Sequence, residues 1–294
     1  VSIALVRQML AELVGSPDTP FMERRAQAQA FAEAFEMPAD MRVRAGQLGG
    51  VPVEWIQPAG IENGPVLFHL HGGGYVLGNP AGSRPFTTLF AREARARVVS
   101  VDYRLAPEHP FPAAVDDALA AYRALLLQGQ DPARLAIGGE SAGGGLTVAL
   151  LLAARDAGLP MPACAFAVSP WVEMSCMAQS FATRAAVDPL LTRRALKEMA
   201  DAYLDGAREE NPLASPLHGD LSGLPPLLIH VGSDEVLFDD AVGLHARAAA
   251  HGVETSFEVW DGMIHVWHMF HALLPEGARA TRAIADFTRS HWRS

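Results

Sequence analysis

Cysteine is almost missing from this chain: 294 residues carry only two, Cys164 and Cys176, too few for a disulfide framework and without metal-ligand spacing. Both are expected to be packing residues. No apolar run approaches the roughly 18 residues of a membrane-spanning helix, the longest reaching from residue 143 to about residue 154. Basic clusters are absent and the formal charge is −10, so neither nucleic acid nor an anionic membrane is an expected partner. The first residues, Val1-Ser2-Ile3-Ala4-Leu5, lack a charged leader and a cleavage site, which gives a cytoplasmic expectation. Internal repeats and low-complexity tracts are missing too. Gly143-Gly144-Gly145 is not followed by the Lys-Ser or Lys-Thr of a phosphate loop. His69 and His71 have no third ligand at metal spacing, so neither metal nor cofactor is expected.

What is present is a serine in a distinctive setting. Gly139-Glu140-Ser141-Ala142-Gly143 stands where a short apolar strand ends and an apolar helix, from about residue 142 to 155, begins. A serine in such a tight strand-to-helix turn has its hydroxyl thrust clear of the backbone, placed to attack a carbonyl. With 26 glycines in the chain, chance supplies a Gly-x-Ser-x-Gly match roughly 0.1 times, so the pentapeptide alone is weak. Upstream, however, an apolar strand delivers His71-Gly72-Gly73-Gly74. A serine attacking an ester creates an oxyanion that needs preorganised N–H donors, and bare glycine backbone can approach it. Gly73, Gly74 and Ala142 are the expected donors, with Gly72 making the turn.

The chain order nucleophile, acid, histidine directs the search for a base downstream. Asp234 lies just past the end of an apolar strand, where open α/β sheets place their sites, and is the expected acid. His265 follows the next strand end and is the expected base. His268 and His271 read as one face of a following helix, His69 and His230 as strand residues, and His245 and His251 as parts of a surface helix. Asp239 and Asp240 read as caps of the helix after the acid loop, and Asp261 as a turn residue before Gly262.

These residues resemble the bacterial hormone-sensitive-lipase-like carboxylesterases of the α/β-hydrolase fold. The resemblance covers the chain from about Val43 onward. It rests on His71 to Gly74, on Asp102-Tyr103-Arg104-Leu105-Ala106-Pro107-Glu108, on Phe111-Pro112-Ala113-Ala114, on Gly139 to Gly144, on Ser169-Pro170-Trp171 and on Met263-Ile264-His265. It implies Ser141 as nucleophile, Asp234 as acid, His265 as base and Gly73, Gly74 and Ala142 as oxyanion donors. Two departures stand out: Glu140 where the family usually has Asp or Thr, and Asp234-Glu235-Val236-Leu237 where its acid loop often reads Asp-Pro-Leu. Within the family, the amino-terminal style and acid loop are nearest to heroin-type esterases and monoterpene lactone hydrolases.

The punctuation predicts eight strands, at about 42–48, 51–57, 65–71, 97–102, 134–138, 163–169, 226–232 and 255–260. Gly49-Gly50 joins the first two as a hairpin. Helices between most of the others give an α/β, mostly parallel, doubly wound sheet. Two helical regions stand outside that alternation. The first 41 residues carry the stripe Ala28, Phe31, Ala32, Phe35, and the segment 171–217 carries Leu196, Met199, Ala200, Tyr203. Both are expected to form a cap over Ser141, around core segments 42–170 and 218–294. Tyr75, Trp171, Met199 and Tyr203 are the expected substrate-binding residues, and Asp102 to Glu108 is expected to brace the oxyanion loop.

The expectation is a cap-bearing hydrolase of short to medium carboxylic esters, its partner a small-molecule ester. A lactone or amide hydrolase would use the same triad. A small-molecule-binding protein of this fold is the reading from another class; His265 in its catalytic place speaks against it, because hormone receptors resembling the family lack that histidine. The strand at 255–260, if at a sheet edge, leaves room for a homodimer.

Overall fold

In a computed structural model, residues 2–13, 19–33 and 35–293 are described. Two helices come first, α1 (Ile3–Leu13) and α2 (Phe21–Glu33). The hairpin of β1 (Met41–Leu48) and β2 (Val51–Pro58) follows, closed by Gly49 and Gly50 at φ 59° and 84°. Positive φ at both central residues is what the type I′ turn, one of the two-residue hairpin turns compatible with strand twist, requires. Then come β3 (Val66–Leu70), α3 (Arg84–Ala94), β4 (Arg97–Val101), α4 (Ala113–Leu127), β5 (Leu135–Glu140), α5 (Ala142–Asp156) and β6 (Cys164–Val168). Helices α6 (Ser180–Thr183) and α7 (Arg193–Leu204) separate β6 from β7 (Leu227–Gly232), and α8 (Phe238–Ala250), β8 (Thr255–Trp260) and α9 (Pro275–His291) complete the chain. All eight expected strands form, with ends shifted by a residue or two.

The strands make one sheet in the order β1-β2-β4-β3-β5-β6-β7-β8, antiparallel at β1/β2 and β2/β4 and parallel elsewhere. Every residue of β3, β5, β6 and β7 is buried, as expected of parallel strands covered on both faces. On one face Phe86, Phe90 and Ala91 of α3 and Ile284 and Ala285 of α9 pack on Leu67, Val98, Ala136, Phe166 and Leu228. On the other, α4, α5 and α8 bury Ala118, Leu146, Leu150 and Leu244 against the remaining strand side chains. Each such large apolar side chain contributes about 1.5–3 kcal/mol when removed from water. The result is a stiff platform on which the carboxyl ends of β3, β5, β6, β7 and β8 open at one rim. Edge strand β8 does lie at the margin.

The helical stripes fare unequally. Leu196, Ala200 and Tyr203 of α7 are buried in the main core and Met199 is partly buried against it. In α2, Ala32 is buried but Ala28 is exposed, and the side chain of Phe31 lies outside the described residues. Cys164 and Cys176 are free and buried. No helix among the described residues is long and apolar enough to cross a membrane.

Candidate active site

Ser141 sits between the last residue of β5 and the first of α5 with φ 57° and ψ −122°, a conformation that costs a non-glycine residue energy and persists only where surroundings over-determine it. They do so here. Its N–H donates to Val168 O at 2.9 Å, and its carbonyl accepts from Trp171 N at 3.0 Å and Gly145 N at 3.1 Å. The turn is tight enough that a Cβ on Gly143 would stand 2.0 Å from Leu70 O, so the end of β3 can reach the serine only if that position is glycine.

From β3 the chain runs into His71-Gly72-Gly73-Gly74, with φ 117° at Gly73, 62° at Gly74 and 63° at Tyr75. Gly73 O accepts from Val76 N and Leu77 N at 3.2 and 2.8 Å, which folds the loop back on itself. Among the described residues, the N–H groups of Gly73, Gly74 and Ala142 donate to nothing, leaving three donors free for an oxyanion. Ala142 adds the positive end of α5.

The loop is braced from beneath by Glu140, whose function the sequence left open. Its buried carboxylate accepts from Ser83 Oγ at 2.5 Å and Gly72 N at 3.1 Å, and meets His69 Nε2 at 2.8 Å. Burial pushes the Glu140 carboxyl up, but His69, the Ser83 hydroxyl and the Gly72 N–H outweigh it and hold the group below the usual carboxylate range. His71 stacks on Tyr103 with centroids 4.1 Å apart. Tyr103 donates to His71 O at 2.7 Å, and Ala106 N donates to Tyr75 O at 2.9 Å. The segment from Asp102 to Glu108 therefore braces the loop as expected. Burial lowers His71 to about 4, so its imidazole is neutral, with Nδ1–H donating to Gly72 O at 2.8 Å. Both peptide bonds Ala106-Pro107 and Phe111-Pro112 are cis.

The carboxylate that His265 meets is not the expected one. His265 Nδ1 donates not to Asp234 but to Glu235 Oε2, at 2.8 Å, with both side chains buried. The other carboxylate oxygen accepts from Ser169 Oγ at 2.8 Å and Gly232 N at 2.7 Å. Ser169 in turn accepts from Val266 N at 3.1 Å, tying the end of β6 to the histidine loop. Asp234 faces away: its carboxylate takes Ser233 Oγ at 2.8 Å and Arg7 Nη2 at 2.5 Å. Both residues leave the same strand end, but the turn aims only the longer side chain into the pocket made by Gly232 and Ser169. With Nδ1 engaged, Nε2 is the ring atom left without a hydrogen bond among the described residues. Ser141 Oγ forms no hydrogen bond among the described residues; such contacts commonly tighten only when substrate binds.

Two other expectations are corrected. His268 is in a 3₁₀ turn, Trp267–Phe270, entered through Val266 at φ 52°, rather than on a helix face with His271, and its Nε2 lies 3.1 Å from His230 Nδ1. Asp239 and Asp240 do not cap α8, which has no side-chain cap. Asp239 accepts from Ser180 N at 2.8 Å, and Asp240 from Val172 N and Glu173 N at 3.0 and 3.2 Å.

The four expected substrate-binding residues do come together. Tyr75 and Tyr203 stack with centroids 3.9 Å apart, and Trp171 lies 6.2 Å from Tyr75. All three are fully buried. Met199 packs on the oxyanion loop so closely that a Cβ on Gly74 would stand 2.3 Å from its Sδ.

A serine in a strained strand-to-helix turn, free backbone donors and a carboxylate-held imidazole on the rim of an eight-stranded sheet are the arrangement of an α/β-hydrolase enzyme. The chain belongs to the alpha/beta hydrolase fold family, whose model matches residues 67–269. It is 48% identical over 266 residues to an acetyl-hydrolase of Streptomyces hygroscopicus, covering 90% of this chain and 87% of the relative. With an esterase of Acinetobacter venetianus it shares 36% over 257 residues, 87% of this chain and 84% of the relative. A crystal structure of an esterase from the bacterial hormone-sensitive lipase family superposes with a TM-score of 0.96 at 44% identity, covering 99% of this chain and 98% of that one. An esterase/lipase from an uncultured bacterium gives 0.94 at 46%, over 99% of both. The family resemblance legible in the sequence therefore holds.

Proposed function

We propose that this protein hydrolyses carboxylic esters of short to medium acyl chain length through acylation and deacylation of Ser141. The observation that carries the reading is the buried His265–Glu235 hydrogen bond of 2.8 Å on the rim that also bears Ser141. His265 Nε2 takes the serine proton as Oγ attacks the ester carbonyl, then gives it to the departing alcohol. Glu235 fixes the tautomer with the proton on Nδ1 and stabilises the imidazolium that forms. The N–H groups of Gly73, Gly74 and Ala142 hold the oxyanion, and a water activated by the same imidazole releases the acid. Three of the four relatives named above are called esterases and the fourth an acetyl-hydrolase, which supports the reading.

In this reading the helices before β1 and the segment between β6 and β7 form the cap. Tyr75, Trp171, Met199 and Tyr203 fill the space beside the oxyanion loop, which limits the depth left for an acyl chain. Each methylene buried adds about 0.8 kcal/mol until that depth ends. Aryl esters from acetyl to dodecanoyl, with one lactone, test this: kcat/KM should peak at or below about eight carbons and fall beyond. A lactone outrunning every open-chain ester would make ring esters the substrate class, and turnover that keeps rising to dodecanoyl would rule out the shallow pocket.

A further inference from the structure

Helix α1 reaches the two loops that carry the acid and the base. Its buried face, Val6 and Leu10 with partly buried Ile3, packs on Met263, Ile264 and Trp267. Those residues bracket His265. From the same helix Arg7 sends Nη2 to Asp234 Oδ2 and Nη1 to Val187 O, each at 2.5 Å. Asp234 immediately precedes Glu235.

The acid loop is gripped by the segment between β6 and β7 as well. Asp188 Oδ2 accepts from Val236 N at 2.8 Å, Ser180 Oγ donates to Val236 O at 2.6 Å, and Arg184 donates to Ser233 O. Within the rim the two loops are stitched to each other, Asp234 N donating to Met263 O at 2.9 Å and Gly262 N to Ser233 Oγ at 2.7 Å. Arg7 closes this assembly by joining Asp234 to Val187, a bridge between three segments far apart in sequence.

We infer that Arg7 and Asp234 are positioning residues: α1 is a clamp that holds Glu235 and His265 in register, beyond any part it plays as a wall for substrate. Two facts favour a positioning role over a generic surface ion pair. The Arg7 and Asp234 side chains are only 28% exposed each, which spares the pair much of the solvent screening that makes exposed pairs weak. The apolar contact and the ionic contact of one helix also land on residues that flank opposite members of the same hydrogen-bonded dyad, Met263, Ile264 and Trp267 about His265 and Asp234 beside Glu235. A shift of about 1 Å in such a dyad lowers turnover as much as about 100-fold, because catalysis depends on near-attack geometry.

The inference rests on the Ser141–His265–Glu235 reading, and its test separates the two. Steady-state kinetics on acetyl and butyryl aryl esters compare Arg7→Ala, Arg7→Lys, Asp234→Asn, the double variant Arg7→Ala/Asp234→Asn and Glu235→Gln. The clamp predicts that Arg7→Ala and Asp234→Asn each lower kcat roughly 10- to 100-fold with KM within about twofold on both esters. The double variant should be no worse than the poorer single, since one interaction is removed either way, and Arg7→Lys should recover part of kcat. Unchanged kcat in both singles, or a change confined to KM and chain-length preference, would overturn the clamp while leaving the triad intact. Activity surviving in Glu235→Gln would instead overturn the triad reading. Thermal unfolding of each variant tells misfolding from misplacement, and Arg7→Lys keeps the test decisive if Arg7→Ala is unstable.

Discussion

His265 and Glu235 face each other across the rim of the sheet at 2.8 Å, Nδ1 to Oε2, while the carboxylate one residue earlier is turned outward to Arg7. Two adjacent acids at one strand end thus hold unrelated positions. One is buried with three hydrogen bonds and orients the imidazole; the other joins loop to helix.

The first prediction separates these acids. Glu235→Gln should lower kcat by about 10⁴, because an amide offers the imidazole a donor and favours the wrong tautomer. Asp234→Asn should cost at most about 100-fold. Parallel measurement of kcat on a butyryl aryl ester checks the order, and a larger loss at Asp234 would return the acid to that position.

Glu140 gives the second. Removing its carboxylate in Glu140→Ala leaves His69 Nε2, Ser83 Oγ and Gly72 N without their shared partner. Breaking such a buried cluster costs about 3 kcal/mol, and loosening Gly72 should lower kcat alongside stability. Glu140→Gln, which keeps an acceptor for Gly72, should be milder in both respects. Denaturant unfolding and kcat for the two variants test this; equal effects would show that the hydrogen bond to the oxyanion loop is immaterial.

The third concerns pH. Burial pushes Asp240 up to about 8, against the two backbone N–H bonds from Val172 and Glu173 that lower it. Between its ordinary value of 3.8 and about 8 the folded chain holds a proton that the unfolded chain has lost, so stability from this group is present at low pH and falls as pH rises through that window. Asp240→Asn removes the titration while keeping an acceptor. Relative to wild type, the variant should therefore gain stability between pH 5 and pH 8, measured as the difference in Tm at each pH. A difference independent of pH would contradict the protonated, buried Asp240.

Much of this architecture was legible because its signals are local. Apolar runs bounded by Gly, Pro and polar clusters define all eight strands, and Gly49-Gly50 defines the hairpin. The serine turn and the glycine run announce themselves by composition, since a Cβ at Gly143 would collide with Leu70 O. His265 follows from its place after a strand end. The remainder depends on contacts distant in sequence. Nothing near Asp234 tells that Arg7 will claim it, nor that Ser169 and Gly232 will build a pocket for Glu235. The signal that existed was the glutamate in Asp234-Glu235-Val236-Leu237, where the family often has proline. Helical spacing puts His268 on a helix face because it carries no sign of the left-handed residue Val266, after which the chain forms a 3₁₀ turn. Asp239 and Asp240 have the composition of caps, yet their carboxylates reach Ser180, Val172 and Glu173 instead.

Covalent labelling tests Ser141 as the nucleophile most directly. Treatment with an aryl phosphonate ester followed by peptide mass spectrometry should find one adduct per chain, on the peptide bearing Ser141, in step with loss of ester hydrolysis. Ser141→Ala should take up no label and lose roughly 10⁴ to 10⁶ in kcat, retaining only what binding and the oxyanion donors supply. A label on another serine, or full turnover by Ser141→Ala, would contradict it.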